Sequence, residues 1–314
     1  MSKVHTALLI LWRYGFLYFA LTVLKKTVLD KNAIAPYSRW MDDVMHQKCI
    51  SYLRLDYWPD IRNPDTFNEK VLHRMLFGRD DRYTMTFDKL LSREYAADRW
   101  NDTILPEIYD VVDDPSAVTD RSFPGAHVIK SSLGSGDVRL IDDVENYSRE
   151  EIRETCQRWL EKDYEMEFGM LNGHRYYDYE RLDPKIIIEE RISGHDQDIP
   201  RDYKFYVFHG RVQYVQVDYN RYSQHSLRFF DRDWNAQSFR KGGTALGPVI
   251  EPPDKYEKMV EIAETLAEGF NFIRVDLYLA SDGRVLFGEL TLSPGGGAGA
   301  FEPARIDTTF GKLW

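Results

Sequence analysis

Apolar residues gather along this chain in short runs with the period of β-strands, at about 104–111, 126–131, 186–192, 203–208, 211–218, 272–280 and 284–291. Between them, 148–162 and 254–268 carry a helical period. Ser148 with Glu151 three residues on has the form of a capping box. Met259, Ile262, Ala263 and Leu266 fall on one helical face, predicted to cover the apolar side of the last two strands. Before residue 85 the pattern is helical and connecting. An apolar helix is predicted at 6–24, a helical run from Asp42 to Leu53, and a helix opening with Thr66 as N-cap and Glu69 as its capping-box partner. Another runs from Asp88 through Asp98. The expected organisation is a mainly helical region over 1–85 and an α+β domain over 86–314.

The last two strands carry the strongest chemical signal. Asp282-Gly283 between them predicts a two-residue type I′ hairpin turn. That register pairs Ser281 with Arg284, Asp276 with Glu289, and Arg274 with Thr291, and opposed residues share a face. One face then carries Arg274, Asp276, Glu289 and Thr291; the other carries Val275, Leu277, Leu279, Leu286 and Leu290. Opposed like charges destabilise a sheet, so the two acids need neutralising. A hard divalent cation does this, and Mg²⁺ usually arrives with substrate phosphates. The alternative is a solvated face on which Arg274 pairs with one acid.

Four further stretches carry chemistry. A strand ending in Lys130 enters the loop Gly134-Ser135-Gly136, where backbone amides and a lysine suit phosphate oxygens. It is neither a P-loop nor the dinucleotide glycine fingerprint. The β-branched run Lys185–Ile192 turns acidic at Glu189-Glu190; its edge suits an adenine ring, or it is a strand leaving the core. Asp202-Tyr-Lys204 sets a lysine among aromatics, which suits an anion or an edge strand. The loop Gly295–Gly299 after Glu289 reads as a second-substrate approach or as a flexible tail.

Composition narrows the class. The 314 residues are 43% hydrophobic, enough for a sizeable core, and a net charge of −10 argues against non-specific nucleic-acid binding. Two cysteines give no disulfide framework and fit a reducing cytoplasm. Residues 6–24 read as a helix docked on the protein's own core or lying on the cytoplasmic face of a membrane, and Arg13 argues against spanning. The eight histidines lack ligand spacing; His195 and His225 read as surface or substrate-binding groups.

The order of these pieces resembles the ATP-grasp superfamily, in which two α+β lobes clamp ATP. More narrowly it resembles the TupA-like ATP-grasp group, linked to surface polysaccharide and teichuronopeptide synthesis. The residues that carry the likeness are Asn63–Lys70, Asp88-Lys-Leu90, Ile186–Glu190, Asp202-Tyr-Lys204, Asp231–Asn235, Arg274–Tyr278 and Phe287–Gly295. The resemblance implies that Lys89 and Lys130 contact ATP phosphates, with Ser135 and Gly136 in the loop covering them. It places Glu189, Glu190 and Ile192 at the adenine through the strand edge, Asp202 at the ribose and Lys204 on the phosphate side. Asp276 and Glu289 would bind Mg²⁺, with Thr291 where many relatives have Asn, and Arg274 would stabilise the transferred charge. The implied reaction joins a carboxylate of a small molecule or saccharide to an amine acceptor through an acyl phosphate. A glycosyltransferase or kinase working on surface polysaccharide, or an inactive scaffold at the membrane, is the alternative.

Overall fold

The computed structural model describes residues 43–120, 125–142, 148–165, 167–168, 175–194, 200–220 and 224–314. The expected helix at 6–24 lies outside them, as does His195. Among the described residues no helix is long and apolar enough to cross a membrane.

The chain opens with α1 (Asp43–Leu55) and α2 (Phe67–Phe77). Thr66 and Glu69 form the expected capping box, each accepting from the other's backbone amide. Helix α3 (Lys89–Arg99) starts at Asp88, whose carboxylate caps the amides of Leu90 and Leu91. Two sheets follow, antiparallel throughout except for the parallel pairing of Ser226–Leu227 with Ala245–Leu246 in the larger one. The smaller sheet has the order β1 (Ile108–Val112), β4 (Ile186–Glu190), β2 (His127–Ser131), β3 (Val138–Ile141). Its apolar side packs on α4 (Pro115–Asp120) and α5 (Arg149–Leu160), the latter capped by Ser148.

The larger sheet is built from β5 (Asp202–Phe208), β6 (Arg211–Tyr219), β7 (Ser226–Asp231), β9 (Ala245–Leu246), β10 (Phe272–Leu279) and β11 (Val285–Thr291). Its order is β11-β10-β5-β6-β7-β9. Helix α6 (Tyr256–Leu266) buries Met259, Ile262, Ala263 and Leu266 and packs on β5, β6 and β10. β8 (Arg240–Lys241) pairs with β12 (Phe301–Glu302) beside the last helix, α7 (Arg305–Leu313). Phe67 of α2 is the hub of the aromatic core. It meets Phe272 edge-on at 5.0 Å between ring centres and Phe310 at 5.8 Å.

The final hairpin forms, with a different turn. Three residues, Ser281 to Gly283, connect the strands: Ala280 N donates to Arg284 O (2.9 Å) and Gly283 N to Ala280 O (3.0 Å). This shifts the pairs near the turn by one, to Leu279 with Val285. A bulge at Gly288 shifts them back, so Asp276 does oppose Glu289 and Arg274 does oppose Thr291. Only glycine fits there, because a Cβ would lie 2.9 Å from the Tyr278 ring and 3.0 Å from the Asp276 carbonyl. The loop Gly295–Gly299 is packed rather than a tail: Gly297 sits against Leu72 and the Asn68 carbonyl of α2.

Replacing Phe67 with alanine removes the ring on which six aromatic side chains converge. We expect a loss of about 3–5 kcal/mol in urea unfolding; a loss below about 1 kcal/mol would show that the hub is dispensable.

Candidate active site

Arg274, Asp276, Glu289 and Thr291 form one hydrogen-bonded group on the face of β10 and β11. The Arg274 guanidinium donates to Asp276 Oδ1 through Nε (2.6 Å) and to Asp276 Oδ2 through Nη2 (2.7 Å). The same Nη2 reaches Glu289 Oε1 (2.6 Å) and Thr291 Oγ1 (3.0 Å). Thr291 Oγ1 also donates to Glu289 Oε1 (2.9 Å). One arginine therefore serves both acids, where the sequence suggested a metal or a pairing with one.

Beneath this group lies Lys204. β5 is central in the sheet, and Lys204 is 5% exposed. Its ammonium contacts Asp202 (2.5 Å), Asp276 (3.0 Å) and Asp218 (3.5 Å). Burial works against that charge, but Asp276 and Asp202 outweigh it and raise the lysine's pKa. Asp276 is 1% exposed; burial would raise its pKa, yet Arg274 and Lys204 hold it below the ordinary carboxylate value. Lys204 sits under the acids, where the anions it meets are the protein's own, and it is no edge-strand lysine.

The opposite wall belongs to the small sheet and α3. Lys89 donates to the carbonyl of Gly134 (2.8 Å), which ties it to the glycine loop. Burial, with Lys130 close by, pushes its pKa down to about 8. Lys130 pairs with Glu189, which also faces Arg93 at 3.7 Å. The far end of the loop is clasped by Lys162, 3.0 Å from Asp137.

Walls and floor enclose a cleft of about 1810 Å³. Lys89, Lys130, Ser135, Gly136, Glu189, Glu190, Ile192, Asp202, Asp276 and Glu289 all line it. Lys204, Arg274 and Thr291 are not among the lining residues and act from behind the acids. β4 is paired through Glu190, with His127 of β2 on one side and the Glu107 carbonyl on the other. Arg191 and Ile192 follow the end of the strand. The Glu190 carboxylate takes the Arg284 guanidinium in two bonds of 2.8 Å. With Ser281 N donating to Ser193 O (2.8 Å), this fastens the turn of the large sheet to the end of the small one. The sequence reading also missed Asp218. Strict alternation along β6 sets Gln216 and Asp218 on the face of Lys204, and that was the available signal.

The donor set suits a nucleotide-bridging Mg²⁺. Among the described residues no three His, Cys, Asp or Glu side chains could hold a metal by themselves. Two opposed carboxylates within reach of one nitrogen meet the usual Mg²⁺ requirement, in which phosphate oxygens and water complete the shell. Arg274 and Lys204 fill most acceptor positions of Asp276. Arg274 and Thr291 both donate to Oε1 of Glu289, whose side chain is 47% exposed.

Two α+β lobes that face each other across a lysine-lined and acid-lined cleft define the ATP-grasp class of protein. The TupA-like ATPgrasp family matches residues 69–314, and the chain belongs to that family. No curated protein matches the sequence. Similar solved structures include D-alanine–D-alanine ligase from Bacillus anthracis (17% identity, 73% of this chain and 65% of that one, TM-score 0.41). Others are L-amino acid ligase from Bacillus licheniformis (15%, 68% and 45%, 0.43) and N5-carboxyaminoimidazole synthetase from Staphylococcus aureus (11%, 67% and 45%, 0.40). The chain spans 45% of the length of each of the last two. The family assignment rests on the sequence match.

Two predictions follow from the charges. Lys204→Met leaves Asp202, Asp276 and Asp218 buried without their common cation. We expect a loss of about 3–5 kcal/mol at pH 7 in urea unfolding. The wild-type Asp276 contributes stability above its unfolded pKa of 3.8, lost as pH falls through its lower folded value. In the variant Asp276 loses one of the two cations that hold its pKa down and protonates more readily, so the deficit must shrink as pH falls toward the carboxylate range; a constant deficit contradicts this arrangement. Lys89, with its pKa lowered from 10.5 to about 8, is partly neutral above pH 8. A phosphate bound there favours the charged form, so ATP binding at pH 8.5 must take up protons. Calorimetry in buffers of different ionisation enthalpy measures this, and Lys89→Arg, which stays charged, must abolish it.

Proposed function

We propose that this chain is an ATP-dependent carboxylate–amine ligase that releases ADP and phosphate and acts in the assembly of surface polysaccharide or teichuronopeptide-type polymers. The observation that carries the reading is one cleft with opposed acids, Asp276 and Glu289, on one wall and Lys89, Lys130 and the Gly134–Gly136 loop on the other. Phosphoryl transfer needs placement and charge neutralisation rather than a protein nucleophile. Membership of the TupA-like family supports the same reading.

In this scheme Lys89, Lys130 and the amides around Ser135 and Gly136 hold the phosphates of ATP. The chain just past β4, at Ile192, takes the adenine, with Glu189 beside it, and Asp202 faces the ribose. Mg²⁺ brought with the nucleotide would be held by Asp276 and Glu289, with Thr291 alongside, and supplies charge neutralisation at phosphate oxygens. Arg274 stabilises charge on the transferred group. Lys204 keeps Asp276 ionised and holds Asp202 and Asp276 in place. Glu190 fixes the lobe angle through Arg284. A carboxylate oxygen of the acid substrate attacks the γ-phosphorus as ADP leaves. The amine then attacks the acyl carbon and phosphate leaves.

ADP release, screened over amino acids and uronic-acid sugars with Mg²⁺, tests the reading. Asp276→Asn and Glu289→Gln must each lower it by at least about 100-fold, in line with the loss of a main electrostatic group. Undiminished turnover in either variant removes the assignment of these acids.

A further inference from the structure

The polar face of the large sheet continues beyond Asp276. Lys241 Nζ donates to the Tyr206 hydroxyl (3.0 Å), Tyr206 donates to Gln216 Oε1 (3.0 Å), and Gln216 Nε2 donates to Asp218 Oδ1 (2.9 Å). Every bond in this series runs the same way and ends on Asp218 as an acceptor. Asp218 is 6% exposed yet lines the cleft, as does Asn220 two residues on. Its Oδ2 lies 3.5 Å from Lys204 Nζ, the same nitrogen that touches Asp276 at 3.0 Å. Asp218 is therefore one lysine away from the acid on the phosphate side. On its other flank, His225 Nε2 stands 3.4 Å from Asp218 Oδ1, with the His225 side chain 38% exposed.

An amine reaches a protein at neutral pH as an ammonium, which has no lone pair with which to attack. Some group must first remove a proton. Four acids of the cleft are held by cations: Asp276 by Arg274 and Lys204, Asp202 by Lys204, Glu189 by Lys130, Glu190 by Arg284. An imidazole set against a buried carboxylate is the usual arrangement for a base and the group that orients it.

Building on the ligase reading above, we infer that Asp218 and His225 form the acceptor end of the site, and that their ligand is a primary amine. His225 takes one proton from the ammonium, and Asp218 orients the ring and stabilises the imidazolium. The freed nitrogen lone pair forms the C–N bond. The bond from the acyl carbon to the phosphate oxygen breaks, its electron pair leaves with phosphate, and the second N–H proton departs as hydrogen phosphate. His225 is the catalytic residue of this step and Asp218 its positioning residue.

The test uses the full chain with acetyl phosphate, ADP and Mg²⁺ as probes. Three products are followed: ATP, N-acetylglycine from added glycine, and acetohydroxamate from added hydroxylamine. Hydroxylamine is already neutral at pH 7 and needs no base. In His225→Gln and His225→Asn the ratio of N-acetylglycine to acetohydroxamate must fall about 100-fold, the usual scale of general-base catalysis. Asp218→Asn must lower the same ratio. If the wild type makes ATP but no N-acetylglycine, or if the ratio is unchanged in the His225 variants, the acceptor assignment is wrong while the ligase reading survives. If the wild type makes no ATP from acetyl phosphate, the ligase reading itself fails.

Discussion

A carboxylate that is almost entirely out of water must be compensated, and in this protein the compensation of Asp276 organises everything around it. Arg274 reaches it from its own strand and Lys204 from the neighbouring one. Together they outweigh the cost of burial and keep the acid ionised. The same two cations extend to Glu289, Asp202 and Asp218. Six charged side chains on four adjacent strands are thereby locked into one arrangement. Removing a single cation exposes its partners to the full desolvation penalty, which makes this group far less tolerant of change than a surface ion pair.

The two opposed acids live in different surroundings, and that difference is useful. Asp276 is immobilised from below, while Glu289 faces the cleft with much of its side chain in solvent. One supplies a fixed position and the other reach. The lysines of the opposite wall differ in the same way: Lys130 has a carboxylate partner, whereas Lys89 is held by carbonyls and is easily discharged. A cleft with one rigid and one adaptable group on each wall suits a ligand whose charge moves during reaction.

Local features were legible in the sequence to the extent that their causes are local. The capping box at Thr66 and the helix start at Asp88 follow from residues two or three apart. The pairing of Asp276 with Glu289 followed from alternation and from Asp282-Gly283, although two errors cancelled. The turn has one residue more than expected, and the Gly288 bulge absorbs it. No local signal distinguishes a glycine that bulges from one that merely sits in a strand. The burial of Lys204 depends on β5 having neighbours on both sides, and the bond between Glu190 and Arg284 joins residues 94 positions apart. Both are consequences of topology, which alternation along a single strand does not contain. Asp218 escaped notice for the same reason: its importance comes from the lysine across the strand, not from its own neighbours.

A crystal structure of the full chain with Mg²⁺ and a non-hydrolysable ATP analogue tests the account most directly. The account predicts the triphosphate between the Gly134–Gly136 loop with Lys89 and Lys130 on one side and Asp276 with Glu289 on the other, with the metal bridging those acids to phosphate oxygens. A nucleotide bound elsewhere, or a triphosphate whose metal touches neither carboxylate, would contradict it.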